Sequence, residues 1–320
     1  MHIPLSTTHY AYLASSLLGF ATHRQCPPFP SRLHLQTQTR CNAHCAMCPH
    51  PSVSRTWQHG TMDWSLFDDI TRQVAAEPGP VTVIFDLQNE PLLNPDIFAW
   101  VRHMKVRAPS TRCVLLTNGS LLDRFAPVDI DASRIDILAV SLNAHTRETY
   151  EKLNCGLDFD AVKGNIERLV EAPGLKPRLR VDFVDTRVNH DELHEARKFW
   201  KERGIRVFSK PLSNRAGALG DFATLAPEEQ GRGGPASAVR RLMRSRSGCP
   251  LPFFQMSVLH NGDAILCCHD WNHACVVGTV AGQSLREIWD SFTLRGIRQA
   301  LLSGNAAAVT PCNSCSLARK

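Results

Sequence analysis

Cys41, Cys45 and Cys48 follow one another in the pattern Cys-x-x-x-Cys-x-x-Cys, inside the stretch TQTRCNAHCAMCPHP. Thiolates favour zinc or iron–sulfur clusters among the biological metals. A structural zinc closes on four protein ligands, and three-ligand catalytic zinc sites are rarely all-cysteine. A cubane iron–sulfur cluster held by three thiolates keeps one iron open to a further ligand, so it is reactive by construction. The chain carries twelve cysteines in 320 residues. Disulfide frameworks belong to small secreted domains, so clustered cysteines in a chain of this size point instead to metal.

Such a site needs elements that bring the loop to a binding edge. From about residue 32 to 212 short β-rich runs alternate with amphipathic helical ones. The candidate strands are RLHLQT, VTVIFD, CVLLT, IDILAVSL, RLRVDFVD and IRVFSKPL. Between them Asn94 and Pro95 read as an N-cap and first helical residue, with Ile97, Phe98, Val101 and Met104 on one face. Leu193, Ala196, Phe199 and Trp200 repeat that spacing. Six β-then-α units predict an α/β fold, a parallel sheet curled into a partial (β/α)6 TIM-like barrel with helices outside. Ligands bind beyond the C-terminal strand ends of such sheets, where the cysteine triplet falls.

The rest of the chain divides by composition. Residues 1–31 form an extension whose apolar run YAYLASSLLGFA lacks the flanks of a signal peptide and reads as a helix packed on the domain. Residues 213–248 read as a linker or loop region. Residues 249–320 predict a small α+β domain: a hairpin turning at Asn261-Gly262, then one amphipathic helix opened by a Ser284–Glu287 capping box.

The cysteine triplet after a first strand resembles the radical S-adenosylmethionine (SAM) superfamily, in which the open iron chelates the methionine part of SAM. The resemblance extends to LQNEPLL after the second strand, where Glu90 and Pro91 match a Gly-Gly-Glu-Pro segment and Gln88 and Asn89 replace the glycines. It extends also to LLTNGSLL (Thr117, Asn118, Gly119) and AVSLNA (Ser141, Asn143) at the next two strand ends. It implies one [4Fe–4S] cluster on Cys41, Cys45 and Cys48, with SAM held by Met47, Asn89, Glu90, Asn118, Ser141 and Asn143. Singly, each position has a plainer reading: a turn, a salt bridge, core packing. Their order at successive strand ends is what carries the assignment.

The late cysteines resemble the twitch module, the shorter form of the SPASM domain. That resemblance implies an auxiliary [4Fe–4S] cluster on Cys249, Cys267, Cys312 and Cys315, although spacing alone equally permits a structural zinc. Cys268 and Cys275 are left over and read as small buried residues. LSNRAG, LCCHDWNHACVVGTV and the EIWDS helix are similar to the twitch-type 2-deoxy-scyllo-inosamine dehydrogenases, which implies Arg215 in the substrate pocket. His269 stands where those enzymes have an acidic residue. Both are candidate catalytic residues, since arginine can clamp hydroxyls and histidine can move a proton near neutral pH.

Hydrophobic residues make up 43% of the chain and charged ones 21%, enough for a sizeable core. The net charge of +6 is too small to argue for nucleic acid, and the basic run Arg240, Arg241, Arg244, Arg246 reads as a solvated rim. No apolar run is long enough to span a membrane, and a cytoplasmic location is expected. The expected function is oxidation of a small polyol, cyclitol or sugar-like substrate, with a flavodoxin or ferredoxin as electron donor. A peptide maturase is the alternative, set back by the roughly 31 residues ahead of the first strand, too few for a leader-binding module. The ending SLARK, without Gly-Gly, argues against a molybdopterin-type cyclase. A non-catalytic iron–sulfur carrier would have no use for the SAM-pocket positions.

Overall fold

Six strands of four to seven residues form the sheet; the first five are apolar and at least half-buried along most of their length, as expected where helices cover a parallel sheet, while the edge strand RVFSKP has no fully buried residue. They are β1 (Arg32–Leu35), β2 (Thr82–Phe85), β3 (Arg112–Thr117), β4 (Ile137–Ser141), β5 (Leu179–Asp185) and β6 (Arg206–Pro211). The structure, a computed structural model, describes residues 26–227 and 249–318. The N-terminal apolar run and the Arg240–Arg246 basic run lie outside the described residues.

β1 to β6 pair in parallel in their chain order, each to the next. The helices between them are α1 (His50–Val53), α2 (Trp64–Ala75), α3 (Ile97–Arg107), α4 (Pro127–Ala132), α5 (Arg147–Leu153), α6 (Phe159–Val170) and α7 (Leu193–Glu202). This is the partial TIM-like α/β architecture that the strand-and-helix alternation predicts. Buried Phe67 and Val74 on α2, Val101 and Met104 on α3 and Trp200 on α7 join one core with the strands. Fully burying an apolar side chain of this size stabilises by about 1.5–3 kcal/mol.

Later strands extend the same sheet. After the single helical turn α8 (Phe222–Leu225) come β7 (Gln255–Val258), β8 (Asp263–Ile265) and β9 (Val276–Thr279). β7 pairs in parallel with β1, and β8 and β9 add antiparallel, giving the order β6-β5-β4-β3-β2-β1-β7-β8-β9 among the described residues. The hairpin turns at Gly262, whose φ of +91° an L side chain rarely adopts.

Two local expectations are corrected. The helix after β2 begins at Ile97 rather than at Pro95, because a 3-10 turn at Pro91–Leu93 takes up the intervening chain. Asn94 closes that turn, and its Oδ1 accepts from Asp96 N at 3.0 Å. The C-terminal helix is two helices, α9 (Leu285–Trp289) and α10 (Phe292–Leu302). The capping box opens α9 as expected, but Ser291 caps a new start, accepting from Leu294 N at 3.2 Å. The break lets Trp289 bury fully while its Nε1 donates to the Pro27 carbonyl at 2.9 Å.

Candidate active site

The loop after β1 is stitched in place on both sides. Gln38 Nε2 donates to the carbonyls of Glu90 (2.6 Å) and Arg40 (2.9 Å), tying the loop to the turn after β2. On the other side His44 N donates to Cys155 O and Ala46 N to Leu153 O, both at 2.9 Å. Cys41, Cys45, Cys48 and Met47 thereby line one cavity of about 740 Å³. Burial pushes the Cys41 thiol up to about 12, and Cys45 and Cys48 are raised by the same cause. Bound iron is the charge that would ionise them, since a coordinating thiol loses its proton to the metal.

Glu90 is the hinge between neighbouring strand ends. Its Oε1 accepts from Thr117 Oγ1 at 2.6 Å and Leu92 N at 3.0 Å, and its Oε2 from Asn118 N at 2.7 Å. Even so, burial raises its pKa to about 7, because three neutral donors do not replace the lost water. Beside it Asn89 Oδ1 is buried with no partner, while Asn89 Nδ2 donates to Gln38 O at 2.7 Å. Asn118 Nδ2 donates to Asn42 Oδ1 at 2.9 Å, so Asn118 also braces the cysteine loop.

Gln88 keeps a glycine-like backbone, with φ +58°, at a position where the resemblance leads one to expect glycine. Its side chain reaches into the chain between the late cysteines: Nε2 donates to Asp270 O at 3.0 Å, and Oε1 accepts from His273 Nε2 at 2.8 Å. At the end of β4, Asn143 (φ +59°) accepts at Oδ1 from Val184 N at 2.8 Å and donates to Asn154 Oδ1 at 3.0 Å. Ser141 and Asn143 both line the cavity.

One member of the second cysteine set, Cys249, reaches that cavity. β8 runs antiparallel to β7, so the chain just past its end returns to the start of β7, where Gln255 Nε2 lies 3.4 Å from Cys268 Sγ. Cys249 and Cys268 line the cavity together with the first triplet. Cys267 is buried within electrostatic reach of Cys249 and Cys312, and Cys312 within reach of Cys315 and Cys275. Burial raises Cys267 and takes Cys312 to about 12. Electrostatic reach thus links the four expected auxiliary ligands in series, Cys249 to Cys267, Cys267 to Cys312 and Cys312 to Cys315. Among the described residues no three His, Cys, Asp or Glu are grouped closely enough to hold a single metal ion. Cys268, read from sequence as a small buried residue, is half-buried on the cavity wall.

Arg215 and His269 both line the cavity. Arg215 sits in a left-handed run, Arg215 (φ +50°), Ala216 (+53°) and Gly217 (+88°), and its Nε is buried without a partner. This part of the expected linker is anchored: Asn214 Nδ2 donates to Ser314 O at 2.7 Å and Ser316 N to Asn214 Oδ1 at 2.8 Å, beside Cys315. His269 Nδ1 lies 3.2 Å from Ser213 Oγ, and burial, with Arg215 and Lys210 nearby, holds its pKa well below the usual range. The ring is therefore neutral near pH 7.

Sequence reasoning passed over several cavity residues. Lys210 stands at the end of β6 and Asp86 at the end of β2, where Asp86 Oδ1 lies 2.8 Å from His34 Nδ1. The rule that flagged the other strand ends applies equally to these two. Trp271 had no such signal. It is stacked on Trp57 with ring centroids 6.0 Å apart, and Trp57 Nε1 donates to its carbonyl at 3.2 Å.

The model of the Radical SAM superfamily matches residues 35–199, and that of the SPASM iron–sulfur cluster-binding domain matches residues 249–316. The chain is 21% identical over 286 residues to the S-adenosyl-L-methionine-dependent 2-deoxy-scyllo-inosamine dehydrogenase of Niallia circulans, covering 89% of this chain and 92% of that one. Among solved structures it is similar to BtrN in complex with AdoMet and 2-DOIA, with a TM-score of 0.65, 20% identity, and coverage of 90% and 93%. It is similar also to Streptococcus suis SuiB bound to precursor peptide SuiA, with a TM-score of 0.67, 17% identity, and coverage of 97% and 73%. At these identities the structural matches speak to the fold. No helix among the described residues is long and apolar enough to cross a membrane.

Proposed function

The chain belongs to the radical SAM superfamily, and on that premise we propose that it oxidises an alcohol carbon of a small polyol, cyclitol or sugar-like substrate. The observation that supports this reading is one cavity lined by all three cysteines of the first set and by Cys249 of the second, so that a substrate bound there would have both centres as neighbours. Membership brings SAM and a [4Fe–4S] cluster, and the iron–sulfur domain brings a second, auxiliary cluster.

The residues present suit these groups. Three cysteines on one loop would provide the open donor set, and Cys249, Cys267, Cys312 and Cys315, linked in series by electrostatic reach, would hold the second cluster. Asn89 Oδ1, orphaned beside the buried Glu90 carboxyl, is an acceptor without a donor, which an amino group would supply. When bound, the groups supply a 5′-deoxyadenosyl radical and a one-electron acceptor.

Converting a secondary alcohol to a ketone removes a hydrogen atom from carbon, a proton from oxygen and one electron. The radical accounts for the first and the acceptor for the last, so the protein has to handle the proton. His269, which lines the cavity and is braced by Ser213, is the candidate to accept it. Arg215 orients substrate oxygens through its planar set of donors. Aromatic and apolar residues on the wall, Trp271, Phe254 and Met47, exclude water from the reacting carbon. The 2-deoxy-scyllo-inosamine dehydrogenase among its relatives supports this reaction class. A flavodoxin or ferredoxin would deliver the starting electron.

The test is deuterium transfer from labelled polyols and cyclitols into 5′-deoxyadenosine in the reduced, anaerobic protein. Label arriving from an alcohol-bearing carbon is expected. Label arriving only from a peptide substrate would replace this reading with peptide maturation.

A further inference from the structure

Two cations face the cavity without a carboxylate to answer them. Lys210 and Arg215, five residues apart at the end of β6 and in the turn beyond, both line it, and neither is in an ion pair among the described residues. Arg215 Nε is buried and makes no hydrogen bond. The two are close enough for Arg215 to depress the Lys210 pKa, reinforcing the effect of burial. An unpaired ammonium held in such a place loses hydration that a ligand's oxygens would replace.

The protein's own acids do not fill the gap. Asp86 and Asp182 lie within electrostatic reach of Lys210, but both are engaged elsewhere. Asp86 is 2.8 Å from His34 Nδ1, and Asp182 accepts from Arg180 Nε at 2.5 Å and Nη2 at 2.9 Å. Nor do the cluster thiolates serve Lys210, because the cysteine within its reach is Cys268, which belongs to neither ligand set. Arg215 reaches both Cys48 and Cys268, so it stands between the two sides of the cavity.

We propose that the substrate carries an anionic oxygen group, a carboxylate or a phosphate, which is bound between Lys210 and Arg215. The inference rests on the cavity being the substrate site of the reaction proposed above. It sets this protein apart from an enzyme for an amino-bearing cyclitol, whose ammonium would meet two like charges here.

Binding measurements separate this from the reaction reading. The holoprotein, with both clusters and SAM, is titrated anaerobically with glucuronate, glucose 6-phosphate, glucose and glucosamine. One of the two anions is expected to bind about tenfold or more tighter than glucose, in line with charge-assisted hydrogen bonds, and which one does so tells carboxylate from phosphate. Lys210→Met and Arg215→Gln should each bring that anion down toward the glucose level, with iron content unchanged; Lys210→Gln is the alternative should the methionine variant not fold. Glucose or glucosamine binding as tightly as either anion, neither anion binding, or anion preference surviving in the Lys210 variants would each overturn the proposal. Deuterium transfer from a neutral polyol without anion preference would remove the anion site and leave polyol oxidation standing. Anion preference with label arriving only from an acidic peptide would do the reverse.

Discussion

Gln88 Oε1 accepts a hydrogen bond from His273 Nε2 at 2.8 Å, joining the turn after β2 to the chain between the late cysteines. The two residues are 185 positions apart, and Gln88 holds the contact from a left-handed backbone. Because Oε1 can only accept, the imidazole donates, which agrees with a His273 pKa lowered to about 4 by burial. The radical-side and auxiliary-side walls of the cavity are thus fastened through one side chain.

The cost and gain at Gln88 can be separated by substitution. Gln88→Gly relieves a left-handed residue, a gain of about 1–2 kcal/mol, but strands His273 and the Asp270 carbonyl. Stranding a buried partner and a half-buried one costs about 1–3 kcal/mol each, so the variant is expected to be less stable than wild type. Gln88→Ala loses the same bonds and keeps the strain. Urea unfolding should rank wild type above Gly and Gly above Ala by about 1 kcal/mol. An alanine variant as stable as the glycine one would show that the backbone there is unstrained.

Glu90 predicts a pH dependence. Its folded pKa of about 7 lies above the ordinary 4.5, so between those values the native state holds a proton that the unfolded chain has released. Stability from this group is therefore present at low pH and is lost as pH rises through that window. The full loss is about 3 kcal/mol, from about 1.4 kcal/mol per unit. Glu90→Gln keeps a neutral acceptor for Thr117 and should be free of the loss. In cluster-free protein, the difference in unfolding free energy between the two should move against wild type from pH 4.5 to 7 and be flat outside it. A difference independent of pH would mean that Glu90 is ionised throughout.

The two cysteine sets should load independently. Iron analysis of reconstituted protein is expected to give roughly eight irons per chain from two cubane clusters. Replacing Cys41, Cys45 and Cys48 by alanine should halve that and abolish SAM cleavage. Replacing Cys312 and Cys315 should also halve it, but leave reductive SAM cleavage measurable while ketone formation is lost. Stoichiometric zinc in place of the second four irons would overturn the auxiliary cluster.

The order of the strands, the triplet and the capping box at Ser284 were legible in the sequence as local patterns, and Glu90 and Asn118 through the resemblance of their strand-end segments. A strand's apolar run, a cap and a turn answer to residues a few positions away. Even the mistaken helix start at Asn94 is a local misreading, since nothing nearby shows that Glu90 accepts from Leu92 N and holds a 3-10 turn there. What lay beyond the sequence is everything decided by strand pairing. That β7 joins β1 in parallel, and that β8 then returns antiparallel, sets Cys249 and Cys268 on the cavity wall that the first triplet also lines. The unpaired state of Lys210 is of the same kind. A strand-end lysine in FSKPL looks like any other until the fold commits Asp86 to His34 and Asp182 to Arg180. Spacing along the chain determined which residues could do chemistry. Whether each charge there found a partner depended on residues brought together from distant parts of the chain, and only the packed sheet decided that.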